Sequence, residues 1–126
     1  MGQPFLEQTL ALLAKHEHVY TEVSELATQT WALYQALVRA HELGVINKVL
    51  LGSNFPFANP EKVITTLYSI NSLVQGTHLP TVPREQLRSI VERDALACLG
   101  LPLPENHIRP RPKVWPPEPA TPEAET

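Results

Sequence analysis

Two short β-type segments separated by amphipathic helices most strongly limit what this chain can fold into. Residues 18–23 alternate β-branched side chains with an aromatic and a charged one, and residues 48–52 (KVLLG) form a continuous apolar run between turn signals. The second pattern is typical of a strand buried on both faces, as in parallel sheets. Strands that alternate with helices form βα units, so we expect the α/β class and a parallel sheet. A two-stranded sheet is marginal alone, and the pattern therefore indicates either an unusual small α/β domain or part of a larger one.

Four amphipathic helices are predicted around these strands, each with an apolar stripe that faces the core. The first spans residues 4–16, and the second begins at residue 28 or 30 and ends at residue 43. The third begins after its cap, Asn59, and the fourth spans residues 84–99. The apolar surface of the second helix is wide, which implies burial against more than one neighbour. The expected stripes are Leu6, Leu10 and Leu13; then Trp31, Tyr34 and Val38 with Leu33, Leu37 and Ala40; then Val63, Leu67, Ile70 and Val74; and last Leu87, Val91, Ala95 and Cys98.

Proline divides the chain into two parts, because eight of its 13 prolines lie in residues 102–126. Proline fixes its own φ, removes a hydrogen-bond donor and disfavours helix in the residue before it. We therefore expect a foldable part over residues 1–101 and an extended or disordered tail over residues 102–126. The segment RPRPK at residues 109–113, with Pro116 and Pro117, resembles a polyproline ligand, but such motifs are common by chance and a solvated tail is favoured.

Composition excludes several classes of function. The net charge of −3 gives no electrostatic case for nucleic-acid binding. No apolar run approaches the roughly 18 residues that a membrane span needs, and the first residues do not have the pattern of a secretory signal. A single cysteine, Cys98, allows no internal disulfide. These features favour a cytoplasmic protein without a membrane or nucleic-acid partner.

The segment KVLLGSNFPFANP at residues 48–60 carries a resemblance to a known family. It resembles the last barrel strand of the amidohydrolase-related, metal-dependent TIM-barrel hydrolases, in which the strand commonly ends in Gly-Ser-Asp followed by an aromatic residue, Pro and a second aromatic residue. Upstream, residues 4–24 are similar to helix 6 and strand 7 of that family. Downstream, residues 84–101 resemble its closing helix. The resemblance covers residues 2–101, and the motif around Gly52 to Pro56 is its most specific part.

This resemblance implies that the chain is the C-terminal portion of a (β/α)8 barrel, with strands 7 and 8 and their flanking helices. A complete barrel takes roughly 250 residues and carries its site at the C-terminal ends of the strands. In the family, histidines on strands 1, 5 and 6 bind a divalent, zinc-like metal, and all of them would precede Met1. We therefore expect that this chain alone binds no metal, and that its partner is either the missing N-terminal part of the barrel or a second copy.

The resemblance also assigns candidate site residues. Asn54 occupies the position of the strand-8 aspartate, which in the family binds the metal and takes a proton from metal-bound water. An amide cannot accept that proton, so Asn54 shares the position of the aspartate but not its ability to act as a base. Phe55 and Phe57 follow the same strand and are candidates to line the pocket of a small-molecule substrate, with packing under the loop as the alternative. Glu22 and Tyr20 share one face of the first strand and are weaker candidates.

Other reactive side chains have ordinary explanations. His16, Glu17 and His18 resemble a metal-binding pair, but no Cys or Asp lies near them in the sequence, and exposed side chains near a helix end are the favoured interpretation. Cys98 lies on an apolar stripe, which favours a buried, inert thiol over a nucleophile.

Two functions follow from these expectations. The first is a fragment of a metal-dependent hydrolase or decarboxylase, with the activity belonging to the intact family barrel and absent from this chain alone. The alternative is a non-catalytic half-barrel module that associates with a partner or with itself through its uncovered apolar surface. An adaptor that acts through the proline-rich tail is a weaker third possibility. Neither the substrate nor the choice between hydrolysis and decarboxylation follows from the residues.

Overall fold

A computed structural model describes residues 1–103, so the predicted extended tail lies outside the described residues apart from its first two positions. Helices and short strands alternate in the first half of this part, and helices alone form the second half. The elements in chain order are α1 (Leu6–Lys15), β1 (Thr21–Glu22), α2 (Thr30–Glu42), β2 (Val49–Leu50), α3 (Pro60–Ser69), α4 (Arg84–Glu92) and α5 (Ala95–Cys98). None of the helices within residues 1–103 combines the length and the hydropathy that a bilayer span requires.

The two strands pair in parallel, as the alternation of helices and strands predicts. Thr21 is opposite Val49, and Glu22 is opposite Leu50. Both strands are shorter than the predicted segments, and 3-10 turns at Ser24–Thr28 and Ile46–Lys48 lie close to them along the chain. Within residues 1–103 the sheet has these two strands. The eight-stranded barrel therefore stays a prediction.

The apolar stripes of three helices form one core, as their periodicity predicts. Leu10 and Leu13 of α1 are fully buried. In α2, residues of both predicted stripes are buried. All four residues of the stripe predicted for the helix after Asn59 are buried. The last two belong to a 3-10 turn, Ile70–Val74, that continues α3. The Asn59 side chain accepts a hydrogen bond from the Lys62 amide at 2.7 Å, so the predicted cap is also present.

Trp31 departs from the predicted pattern. Its side chain is 53% exposed, whereas Tyr34 and Val38 of the same stripe are buried. Trp31 lies in the first turn of α2, and its ring packs against that of Tyr34 with centroids 5.3 Å apart. The prediction that Trp31 belongs to the buried stripe is therefore wrong.

The helix predicted over residues 84–99 is divided in two. Arg93 has an extended backbone with ψ of 134°, and Asp94 caps the short α5 by accepting a hydrogen bond from the Ala97 amide at 3.1 Å. Leu87 and Ile90 are the buried residues of α4, while Val91, Ala95 and Cys98 are only half-buried. The predicted stripe loses its register at the break, and the Cys98 thiol is half-buried rather than buried.

Two cationic side chains connect β2 to the helices by hydrogen bonds to backbone carbonyls. The Lys48 ammonium donates to the Leu13 and His16 carbonyls at 2.6 and 2.5 Å, where α1 ends. The Arg93 guanidinium donates to the Val49 carbonyl at 2.8 Å. Cations are favourable at the carbonyl end of a helix, so Lys48 joins the start of β2 to the end of α1.

Candidate functional site

The carboxyl ends of β1 and β2 lie side by side, because the strands are parallel and in register. Glu22 ends β1, and its carboxylate accepts a hydrogen bond from the Ser24 amide at 2.7 Å. A Cβ atom added at Gly52, just beyond β2, would collide with that carboxylate and approach the Ser24 Cβ to 3.1 Å. The carboxylate of Glu22 therefore reaches across the continuation of β2 because residue 52 has no side chain.

Asn54 lies in the turn that follows this glycine. Its φ of 54° is in the left-handed region, which among residues with a side chain favours Asn and Asp. The Asn54 carbonyl accepts hydrogen bonds from the amides of Phe57 at 2.9 Å and Ala58 at 3.3 Å. This residue turns the backbone from β2 toward α3, and its exposed side chain lies at the carboxyl edge of the sheet.

Phe55 and Phe57 extend from the same turn into solvent. Their side chains are 78% and 83% exposed, so the alternative that they pack under the loop is wrong. They do not enclose a cavity by themselves, and a pocket there needs further walls. The prediction that they line a substrate pocket stays a prediction.

Within residues 1–103, the donor atoms at this edge are fewer than a zinc-like metal needs. Asn54 offers a neutral amide oxygen in place of a carboxylate, and the Glu22 carboxylate already accepts from the Ser24 amide. Within residues 1–103 no three His, Cys, Asp or Glu side chains come close enough to share an ion. We therefore derive no catalytic step through a metal for this chain.

Four histidines lie within residues 1–103, and three of them are exposed. His16 and His18 are exposed together with Glu17, which agrees with the ordinary explanation of this trio. His41 is half-buried on α2, and His78 is exposed in the loop before α4. Tyr20, the other weak candidate, is half-buried just before β1.

Sequence reasoning misses two contacts of the strands. Glu22 and Gly52 both lie in predicted strand segments, but their contact depends on strand register, which has no local signal. The contact of Arg93 with β2 was also missed, although Asp94 three residues before the Ala97 amide is a helix-capping signal that marks the break beside it.

Comparison of the chain with protein-family models, with curated proteins and with solved structures gives no match.

Proposed function

We propose that residues 1–101 are the C-terminal part of an amidohydrolase-related (β/α)8 barrel and contribute its last two strands. The observation that carries this proposal is the parallel pairing of β1 with β2 across α2, with the Gly52-Ser53-Asn54 turn beside Glu22 at the carboxyl edge. The active sites of such barrels are built at that edge. Hydrolase activity belongs to the intact barrel and is absent from this chain alone.

A contact at the other strand supports the same proposal. The amino group of Met1 donates to the Glu22 carbonyl at 2.9 Å, and the Met1 side chain is 3% exposed. In a barrel every strand has a neighbour on both sides, and strand 6 would lie next to β1. Met1 thus makes the kind of backbone contact with β1 that the end of a neighbouring strand makes.

The expected chemistry follows from the side chains at the edge. In the resembled family a bound metal would supply an activated water, and the carboxylate at the position of Asn54 would serve as the base. The Asn54 amide has no basic lone pair in the ordinary pH range, so it can orient a neighbour by hydrogen bonding but cannot take that proton. The role we assign to Asn54 is to shape the turn, and the class of substrate remains a small molecule of the intact barrel. As part of the same proposal, we assign the protein to the cytoplasm.

Two measurements test this proposal. The purified chain should bind no zinc in stoichiometric amounts and should hydrolyse neither a model ester nor a model amide. Tight binding of zinc together with hydrolysis would overturn the proposal that this chain is an inactive fragment. The genomic sequence directly upstream of Met1 tests the barrel itself. An in-frame continuation that encodes further strands with metal-binding histidines supports it, and an upstream region that encodes no such strands, either in frame or as a separate chain, contradicts it.

The exposed aromatic side chains favour a second candidate function, a non-catalytic module that associates through the same edge. Phe55 and Phe57 are the most exposed large apolar side chains within residues 1–103, and such side chains are typical of binding surfaces. Light scattering after size exclusion should then show an oligomer, and the double variant Phe55→Ser with Phe57→Ser should be monomeric. The matched control is Leu12→Ser, which removes an exposed leucine of α1 far from the turn in sequence. A monomer that is well folded before any substitution would contradict this candidate.

A further inference from the structure

Both backbone pairing groups of Val49 in β2 are hydrogen-bonded to groups outside β1. The Val49 carbonyl accepts a hydrogen bond from the Arg93 guanidinium at 2.8 Å. The Val49 amide donates to the Ile46 carbonyl and so closes the 3-10 turn that precedes the strand. The amide and the carbonyl of one strand residue point to the same side of the strand. The side on which Val49 presents them, which we call the outer edge of β2, is therefore occupied at this residue by the chain itself.

The strand register agrees that the outer edge faces away from β1. In a parallel pair, one of two opposite residues directs its backbone groups toward the partner strand, and the other directs them outward. Val49 is opposite Thr21, so an outward Val49 requires an inward Thr21 and an outward Glu22. The Glu22 carbonyl accepts from the Met1 amino group at 2.9 Å, as an outward carbonyl can. Each of the two strands thus has an outward carbonyl that is capped by a group within residues 1–103.

The end of α4 positions Arg93 for its contact with β2. The Arg93 backbone leaves the helix with ψ of 134°. Its guanidinium also donates to the Ser89 hydroxyl oxygen at 3.2 Å and to the Ile46 carbonyl at 3.4 Å. A guanidinium has five N–H donors in a fixed fork, so one side chain serves all three acceptors. Because Arg93 is half-buried, water competes less for these acceptors.

We propose that Arg93 is an edge cap, which prevents the outer edge of β2 from pairing with β2 of a second copy of this chain. The edge of a sheet is a template for another chain, and a two-stranded sheet is marginal, so an uncapped β2 would gain stability from a further strand. Residues 49–51 read VLL, with no charge and no proline to oppose pairing, and Leu50 and Leu51 are half-buried. A cation fixed at the edge opposes pairing, because an incoming strand would have to displace it or desolvate it.

The edge cap does not depend on the barrel proposal. In the proposed barrel, strand 1 would be the neighbour of β2 on the outer edge and would need the same backbone groups of Val49. The cap would therefore have to open before strand 1 could pair.

Light scattering after size exclusion tests the edge cap with Arg93→Met, which keeps an unbranched stem but removes the donors. As the protein concentration rises, the mass of this variant should approach about twice that of the unsubstituted chain under the same conditions, because a two-fold pair of edges closes on itself. The matched control is Arg84→Met, at an exposed position in the first turn of α4. It removes the same charge and should keep the mass of the unsubstituted chain.

Hydrogen exchange shows whether the association uses the outer edge. The amides of residues 49–52 should exchange more slowly in Arg93→Met at high protein concentration than at low, because the added strand accepts hydrogen bonds from them. An edge that is merely loosened would exchange faster at every concentration. Ser89→Ala removes one partner of the guanidinium and leaves the arginine in place, so it should show the same effects in weaker form.

Circular dichroism identifies which of these variants is folded and decides which one is used. An unchanged mass in a folded Arg93→Met overturns the proposal, and if that variant does not fold, an unchanged mass in Ser89→Ala does so. Association without slower exchange at residues 49–52 also overturns it, since the copies then meet at another surface. Equal association of Arg84→Met would show that the lost charge, rather than an open edge, is the cause.

Discussion

At the scale of single residues, the turn after β2 depends on a backbone conformation that few side chains adopt. Asn54 has φ of 54°, and its carbonyl accepts two amide hydrogen bonds that close the turn. Asn, Asp and Gly tolerate this region because their local hydrogen bonding or their lack of a Cβ offsets the steric cost. The residue type at position 54 therefore has a structural explanation that is independent of any catalytic role.

Substitutions at Asn54 separate these two roles. Asn54→Ala should lower the free energy of unfolding by about 1 kcal/mol, because a left-handed alanine is strained. Asn54→Gly and Asn54→Asp should remain within about 0.5 kcal/mol of the unsubstituted chain. Urea unfolding followed by circular dichroism measures all three. Hydrolytic activity gained by Asn54→Asp alone would contradict the inactive fragment, and an alanine variant as stable as the glycine variant would contradict the structural role.

Gly52 is required for space rather than for backbone freedom. Gly52→Ala should destabilise the chain by about 0.5–1.5 kcal/mol, because the exposed Glu22 carboxylate must move away from the added Cβ and give up its hydrogen bond to the Ser24 amide. Urea unfolding gives the value.

The control is the double variant Gly52→Ala with Glu22→Ala. If the collision is the cause, the alanine at position 52 should cost less when Glu22 is already truncated, by at least about 0.5 kcal/mol. Strictly additive costs would show that another contact, such as the one with the Ser24 Cβ, explains the effect.

At the scale of elements, the helices follow their own periodicity until a tertiary contact interrupts them. The stripe of α3 is buried as predicted, and in α1 Leu10 and Leu13 are buried while Leu6 is half-buried against the core. The helix from Arg84 onward breaks instead at Arg93, whose guanidinium contacts the carbonyls of Val49 at 2.8 Å and Ile46 at 3.4 Å. The Asp94 cap then starts α5 in a new direction.

Arg93→Met should test whether this contact stabilises the junction between α4 and β2. The substitution keeps an unbranched apolar stem but leaves partly buried carbonyls without their charged donor, which costs about 1–3 kcal/mol. Urea unfolding again provides the measurement. Arg84→Met, at an exposed position in the first turn of α4, is the matched control and should change the stability by less than about 0.5 kcal/mol. Equal effects of the two substitutions would show that the guanidinium contributes nothing specific.

At the scale of the whole molecule, one apolar core joins every long helix. Its members come from α1, α2, α3 and α4, from Val49 of β2 and from Val23 directly after β1. The helix α2 packs against three separate 3-10 turns, which explains why its apolar surface is wide. The described part of the chain should therefore unfold as one cooperative unit.

Leucine substitutions test this single core. Leu37→Ala, at a fully buried position of α2, should cost about 2–5 kcal/mol, because it removes methyl groups and leaves a cavity. Leu73→Ala, at a position 44% exposed, should cost less than about 1 kcal/mol. Thermal unfolding should remain a single transition for both variants. Separate transitions for the two halves of the chain would contradict one cooperative core.

Much of the fold could be predicted, but less of the candidate site. The sequence predicts helices, their buried stripes, the Asn59 cap and the existence of two β segments, since these depend on spacing and on local hydrogen bonding. It places Asn54 and Glu22 as separate candidates and does not reveal that Glu22 lies over Gly52. That contact brings together residues 30 positions apart, and only strand register decides it.

The amino-acid sequence by itself determined the periodic elements and the turn chemistry, because hydrophobic spacing and caps act over one or two helical turns. Only the tertiary structure decided three further features, namely the exposure of Trp31, the contact of Arg93 with the Val49 carbonyl and the contact of Glu22 with Gly52. Each of them depends on contacts between residues that are distant in sequence. A local sequence pattern contains no information about such tertiary contacts.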